Sequence, residues 1–456
     1  GCKRWDLRPV EDASRRHDFE RSRQRSNMST PSPTRTRLVG LRRAFHRYPE
    51  TAWTEFWTTA RIVEELSAIG VDELLIGAEV LDSELRMGVP DETTLAAAHT
   101  RAADRGVDPA LLEACAGGHT GCVGVLTRGE GPTVGLRVDI DALPQRESAD
   151  ADHAPTAAGF ASERAGTMHA CGHDAHATIG IGVLERIADS DFRGTLKVFF
   201  QPAEEVIGGG RAMAAGEAMV EVDHLLALHV GLDYPTGTVV AGIDGFLAVA
   251  QYEVEFTGRP AHAGAHPEDG SHAIAAAATA THQLQAIARH ADGATRVNVG
   301  RIDGGTATNI IPESCALEFE VRGETTALCD HMRERATAIL EGAARSHGCG
   351  VEWRVMGEAP SATSDASLVD VVATAAEGAS GVREVRRRGT IGGSEDATYL
   401  MQAVQGAGGD AAYVGIGTDH PGGHHTATFD VDEESLMIGV ETITRSILAL
   451  DARSTS

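Results

Sequence analysis

The sequence predicts an α/β protein: a mixed, largely parallel sheet covered by helices, interrupted by an inserted ferredoxin-like α+β unit. Length, alternation and a change of order predict it. A chain of 456 residues exceeds the roughly 250–300 at which a single hydrophobic core stops growing, so more than one core is expected. Between residues 123 and 229 short apolar runs alternate with helical ones, the βαβ rhythm of a parallel sheet covered on both faces. Between 246 and 357 the order becomes strand, helix, strand, strand, helix, strand, which is the split βαβ unit.

In chain order, residues 1–35 are rich in Arg, Asp, Ser and Pro without apolar periodicity, and are expected to form a disordered tail, with Met28 as an alternative start. Residues 36–245 and 358–456 are expected to make one discontinuous domain, with 246–357 as the insert. Leu41, Phe45, Ile62, Val63 and Leu66 have helical spacing, and Gly70 follows as a C-cap would. The Ala-rich stretch 91–115 predicts another helical segment. Strands are then predicted at 123–126, 133–138, 195–200 and 224–229, with a helix beginning near His176 and a second over 209–218. In such sheets sites gather at the carboxyl ends of strands, and Asp139, Asp141, the Glu204-Glu205 pair and His229 all follow strand-like runs. The insert reads as strands 251–257, 295–302, 315–322 and 351–355 with helices 269–290 and 328–347. After Pro360 the first pattern resumes and carries His425.

Composition excludes several classes of function. A formal net charge of −26 would repel a phosphate backbone, so nucleic acid is excluded and partners are small molecules or protein. Seven cysteines at irregular spacing do not make a disulfide framework, which fits a reducing cytoplasm. No apolar run approaches the roughly 18–20 residues of a membrane helix, and no signal core stands at the N-terminus.

Chemistry concentrates in Met168-His169-Ala170-Cys171-Gly172-His173-Asp174 and in Gln201-Pro202-Ala203-Glu204-Glu205. Cys171 and His173, one glycine apart, can aim thiolate and imidazole at one place, and zinc or manganese-class ions accept such ligands. Of two adjacent glutamates one can bind a cation while the other takes a proton from water. His229 and His425 stand at loop mouths; His169 is the rival to His173. Against this, paired glutamates also suit a helix N-terminus, yet like charges packed after the apolar run Val198-Phe199-Phe200 call for a compensating cation. Asp139 either caps a helix or holds a ligating imidazole in its tautomer. His262, in a glycine-flanked turn, reads by itself as a surface histidine. The glycine runs at 208–210 and 303–305 lack the setting of a nucleotide loop.

Together with His46-Arg47-Tyr48-Pro49-Glu50, Arg86-Met87-Gly88, Arg137-Val138-Asp139-Ile140-Asp141, Gly393-Ser394-Glu395-Asp396 and Gly423-His424-His425, these motifs resemble the amidohydrolase branch of the dimetal aminoacylase and carboxypeptidase family. Within that branch they are most similar to the subfamily that cleaves aminobenzoyl-glutamate, which the Arg86-Met87-Gly88 insertion sets apart. The resemblance implies a zinc-peptidase-like fold with an inserted lid or dimerisation domain. It implies that Cys171, His173, Glu205, His229 and His425 bind two divalent ions per protomer, manganese or zinc, with Cys171 bridging. His425 is preferred to His424 because the family's ligand stands four residues before a Phe, here Phe429. Glu204 would be general base and acid, His262 would stabilise the oxyanion in the site of a partner protomer, and Asn309 and Arg322 would hold the substrate carboxylate. The implied activity is hydrolysis of p-aminobenzoyl-glutamate, a folate breakdown product, to p-aminobenzoate and glutamate, by a homodimer or a heterodimer with a homologous chain. The alternatives are a broader N-acyl-amino-acid or aminoacyl-dipeptide hydrolase and a non-catalytic partner chain.

Overall fold

The computed structural model describes residues 33–454, so nearly all of the expected tail lies outside the described residues; its last three positions open the helix Pro33–Arg47. With strands numbered along the chain, the main sheet has eight: β1 (Glu73–Ile76), β2 (Cys122–Thr127), β3 (Thr133–Asp139), β4 (Thr195–Gln201), β5 (His224–Val230), β6 (Thr238–Val240), β12 (Glu384–Arg386) and β14 (Asp410–Ile416). Their spatial order is β1-β2-β4-β3-β5-β14-β6-β12. The centre, β4-β3-β5-β14, is parallel throughout, whereas β1-β2, β2-β4 and β14-β6 pair antiparallel. A parallel sheet needs cover on both faces, and the strands supply two apolar sides by period-two alternation. On β5, Leu226, Leu228 and Val230 enter one core and Leu225 and Ala227 the other; on β14, Val414 and Tyr413 divide likewise.

The first core is closed by the helices Pro33–Arg47, His173–Ala188, Ala366–Glu377 and Glu434–Ser454, the second mainly by Ala397–Gly406. Gly182 explains why the buried helix tolerates glycine: a Cβ there would stand 2.7 Å from Val440 Cγ2, so the last helix can approach only a bare backbone. The helix carrying Gly182 begins at His173 rather than near His176, because Gly172 at φ 93° turns the chain into it. The stretch predicted as one helix over 91–115 is two, Glu92–Asp104 and Pro109–Ala114, broken at Gly106 (φ 82°). The predicted helix over 209–218 shrinks to Gly210–Ala214.

Residues 248–359 build a second, four-stranded antiparallel sheet of β8 (Ala248–Thr257), β9 (Thr295–Gly304), β10 (Ser314–Gly323) and β11 (Gly350–Ala359), in the order β11-β8-β10-β9. The helices Ala273–Gln285 and Thr326–Ser346 cover one face, packing Ala276, Ala280, Met332 and Leu340 against Val254, Phe256 and Leu317. Charged and polar residues occupy the other face. A short parallel pair joins β7 (Ile243–Asp244), just before the chain enters this unit, to β13 (Gly389–Thr390), which follows the helix Ala366–Glu377 and β12. Among the described residues no helix is long and apolar enough to cross a membrane, and the cysteines are all free.

Phe200, on β4, is fully buried in the first core. Phe200→Ala is expected to lower the unfolding free energy by about 3–5 kcal/mol through lost transfer energy and the cavity left behind, read from the shift in urea midpoint.

Candidate metal centre

The carboxyl ends of β3, β4, β5 and β14 converge with the start of the helix His173–Ala188. β5 delivers His229, whose Nδ1 donates to the Val230 carbonyl at 2.7 Å, so Nε2 is left to face Cys171 Sγ at 3.4 Å. His173 Nδ1 donates to the Asp141 carbonyl oxygen at 2.9 Å and lies 3.2 Å from Asp141 Oδ1, which turns Nε2 inward. That Nε2 stands 3.7 Å from Glu204 Oε2 and 3.8 Å from Glu205 Oε1. Asp141 also accepts from the backbone N–H groups of Glu204 and Glu205 at 3.1 and 3.0 Å, so one side chain sets both the imidazole and the glutamate turn. His425, at φ 60°, brings Nε2 to 3.6 Å from Glu205 Oε2.

Among the described residues five donor sets have their ligand atoms within 4.8 Å of one another: Cys171, His173 and His229; Cys171, Glu205 and His425; His173, Glu204 and Glu205; Asp139, His173 and His176; and Glu204, Glu395 and Asp396. Cys171 belongs to the first two. His173 Nε2 and Glu205 Oε1 are buried without a hydrogen-bond partner, a costly state for such groups unless a cation satisfies them. The residues fit a pair of divalent ions sharing one thiolate, with nitrogen, sulfur and carboxylate donors of the kind zinc and manganese accept.

The remaining candidates are placed as follows. Asp139, read from sequence as the support of a ligating imidazole, instead holds His176, whose Nε2 accepts from the Val230 N–H at 2.8 Å; His176 is thereby spent, and Asp141 supports His173. His169 is buried with neither ring nitrogen bonded and joins none of the donor sets. His424 Nδ1 comes to 3.7 Å from Cys171 Sγ while its Nε2 accepts from Leu232 N at 3.2 Å. Arg322 lines the same cleft of about 460 Å³ as Cys171, Glu204 and Glu205; it is gripped by Glu320 at 2.8 and 3.0 Å and touches Ser394 Oγ at 3.2 Å. His262 and Asn309 are exposed neighbours on the four-stranded unit and do not line that cleft.

The family model described as "Peptidase family M20/M25/M40" matches residues 135–449. The chain belongs to that family. Similar proteins include a p-aminobenzoyl-glutamate hydrolase chain of Escherichia coli, 43% identical over 90% of this chain and 95% of that one. Indole-3-acetyl-aspartic acid hydrolase of Enterobacter agglomerans is 44% identical over the same shares. Among solved structures, an aminobenzoyl-glutamate utilization protein from Klebsiella pneumoniae superposes with a TM-score of 0.78 at 37% identity, covering 91% of this chain and 96% of that one. This M20 chain is accordingly an enzyme acting on amide bonds.

Beneath the M20 centre lies a polar network not read from the sequence. Arg137, fully buried, donates to Asp139 at 2.8 Å and Gln201 at 2.8 Å and pairs with Glu395 at 3.0 Å and Asp396 at 3.2 Å. Glu395 also accepts from Tyr413 Oη at 2.6 Å. Burial raises Glu204 well above the usual carboxylate range, with Glu395 and Glu205 adding to it; burial likewise pushes Glu205 up to about 8, against the pull of His173. Burial raises Asp139 too, but His173, His176 and Arg137 outweigh it and hold that carboxyl low. A readable signal existed: Arg137 and Asp139, two apart on a strand, share one face of the sheet. The bonds to residues 395–396 had no local sign.

Asp141→Ala removes the carboxylate that accepts from the Glu204 and Glu205 N–H groups and lies against His173 Nδ1, leaving the imidazole only the backbone carbonyl of residue 141. Metal affinity is expected to fall about 10–100-fold, measured by competition with a chromogenic chelator, with secondary structure preserved by circular dichroism.

Proposed function

We propose that this chain hydrolyses the amide joining an aromatic acid to an acidic amino acid, with p-aminobenzoyl-glutamate as the leading substrate. The observation that carries the reading is the sharing of Cys171 between two donor triads that both leave out Glu204. Two divalent ions held by Cys171, His173, Glu205, His229 and His425 would supply Lewis acidity, lowering the pKa of a water toward about 7 and polarising a carbonyl. Glu204, buried but opening on the cleft, then takes a proton from the attacking water and hands it to the leaving amine nitrogen. Arg322, in the same cleft, is the group for the substrate's carboxylates. Asp139 acts through His176 as a positioning residue.

His262 and Asn309, exposed on the four-stranded unit, are assigned to the site of a partner protomer, where His262 meets the oxyanion. Residues 246–357 would then be a lid and dimerisation domain inserted between 36–245 and 358–456. The Escherichia coli relative is named as one of the subunits of its hydrolase, which supports an assembly with a homologous partner; a homodimer is the other arrangement. We place the enzyme in the cytoplasm, in folate catabolism. Zinc and manganese remain the two metals that the donor set suits.

A second reading is favoured by the indole-3-acetyl-aspartic acid hydrolase, whose identity to this chain is close to that of the leading relative: an indole-acetyl-aspartate amidase. Comparing kcat/KM on the two conjugates, with benzoyl-glycine and N-acetyl amino acids as controls, separates these; preference for the controls would overturn both. Glu204→Gln is expected to keep its metal content by elemental analysis and to lose about 100- to 10,000-fold in kcat; undiminished turnover would remove Glu204 from the mechanism. The same elemental analysis on protein purified without added ions identifies the metal.

A further inference from the structure

A second cavity, of about 450 Å³, lies between the main sheet's loops and the polar face of the four-stranded sheet. It meets the metal-centre cleft at Glu205 and Gln251, which line both. Glu205 Oε1 stands at this junction, buried and without a hydrogen-bond partner. With Arg322 in the cleft, a substrate whose carboxylates lie toward that arginine and whose amide lies at Glu204 and Glu205 sends its acyl group into the second cavity.

The walls of this cavity are specific. One side is Gly88, from the Arg86-Met87-Gly88 insertion, at φ +64°; a Cβ there would lie 3.0 Å from the Met356 carbonyl oxygen and 3.3 Å from Val206 Cγ2. The insertion is fastened down: Trp53 Nε1 donates to the Met87 carbonyl at 2.7 Å, and the Arg86 guanidinium sits over the Trp53 ring at 5.4 Å. The opposite wall carries Glu253 on β8 and Glu318 on β10, directly across from each other in the ladder. Glu318 Oε1 pairs with Arg301 at 2.8 Å and Glu253 Oε2 with Arg354 at 2.5 Å, so Glu318 Oε2 and Glu253 Oε1 are left for another donor. Like charges in direct cross-strand register are unfavourable; an N–H between them would offset that repulsion with charge-assisted hydrogen bonds.

We infer that this cavity is the acyl subsite and that it selects an aromatic ring bearing an N–H donor, received by the Glu253 and Glu318 carboxylates. The inference rests on the function proposed above and goes further, assigning the selecting groups and the role of the insertion. Aminobenzoyl and indole-acetyl groups share this chemistry: each is a flat ring whose polar atom is an N–H.

The test compares kcat/KM of the full-length, metal-loaded enzyme for p-aminobenzoyl-glutamate and for 4-methylbenzoyl-glutamate, which keeps the shape and lacks the donor. The wild type is expected to prefer the amino compound by about tenfold, the effect of one hydrogen bond to a charged group in a half-open site. In Glu318→Leu, and independently in Glu253→Leu, the ratio should fall to within about twofold. Equal turnover of the two compounds by the wild type, or a preference that survives both substitutions, overturns the inference while leaving the proposed function standing. Turnover of neither aroyl-glutamate overturns the function beneath it, and the inference with it.

Discussion

An excess of buried negative charge is the constraint on which this molecule depends. Asp139, Asp141, Glu395 and Asp396 are all but sealed from solvent around Glu204 and Glu205, and Arg137 is the buried arginine among them. One guanidinium cannot balance so many carboxylates in a medium where unpaired charge costs several kcal/mol. The structure divides the problem. Arg137 serves the lower layer, and the upper layer is left with orphaned His173 and Glu205 atoms that a cation completes. The raised positions of Glu204 and Glu205 are the same imbalance expressed as proton affinity.

The fold makes this concentration tolerable by supplying Asp139 and His229 on strand ends, Glu204 and Glu205 in the turn after β4, and His173 and Asp396 at helix starts. Backbone conformation is bent to suit: Ala203, Ile207, Leu232, Asp233 and His425 all hold positive φ without being glycine, and such conformations persist only where the surroundings over-determine them. The four-stranded unit contributes differently. Its apolar face is spent on its own two helices, so the face it turns to the cleft is free to carry charge, including Arg322.

Much of this was legible in the sequence because it is periodic or local. The continuous apolar run Leu225-Leu226-Ala227-Leu228 marks a strand buried on both faces, and the β-α-β-β-α-β order of the second unit follows from period changes alone. Cys171 and His173 are two residues apart and Glu204 and Glu205 adjacent, so their clustering needed only one turn each. Asp139 and Asp141 are legible as acids at a strand end, but their division between His176 and His173 depends on which way each side chain leaves the chain after β3, and spacing does not encode that. The union of Arg137 with Glu395 and Asp396 spans more than half the molecule and left no pattern to read. Helix lengths near Gly106 and Gly216 failed for a plainer reason: Ala-rich composition favours helix, while a positive-φ glycine at 106 and the extended backbone of Gly216 (φ −68°, ψ 151°) end it.

The Arg137 to Asp396 bond, with its partners 259 positions apart, also dictates when the molecule can be finished. At roughly 5–20 residues per second of synthesis, β3 leaves the ribosome many seconds before the side chains that neutralise its arginine exist. Until they arrive the guanidinium has only Asp139 and Gln201 as partners, and β14, which must slot between β5 and β6, is missing as well. The four-stranded unit, contiguous in the chain, has no such dependence and can mature while the remainder is still being made. The main sheet and its buried arginine are therefore completed only once residues 395–416 have been made.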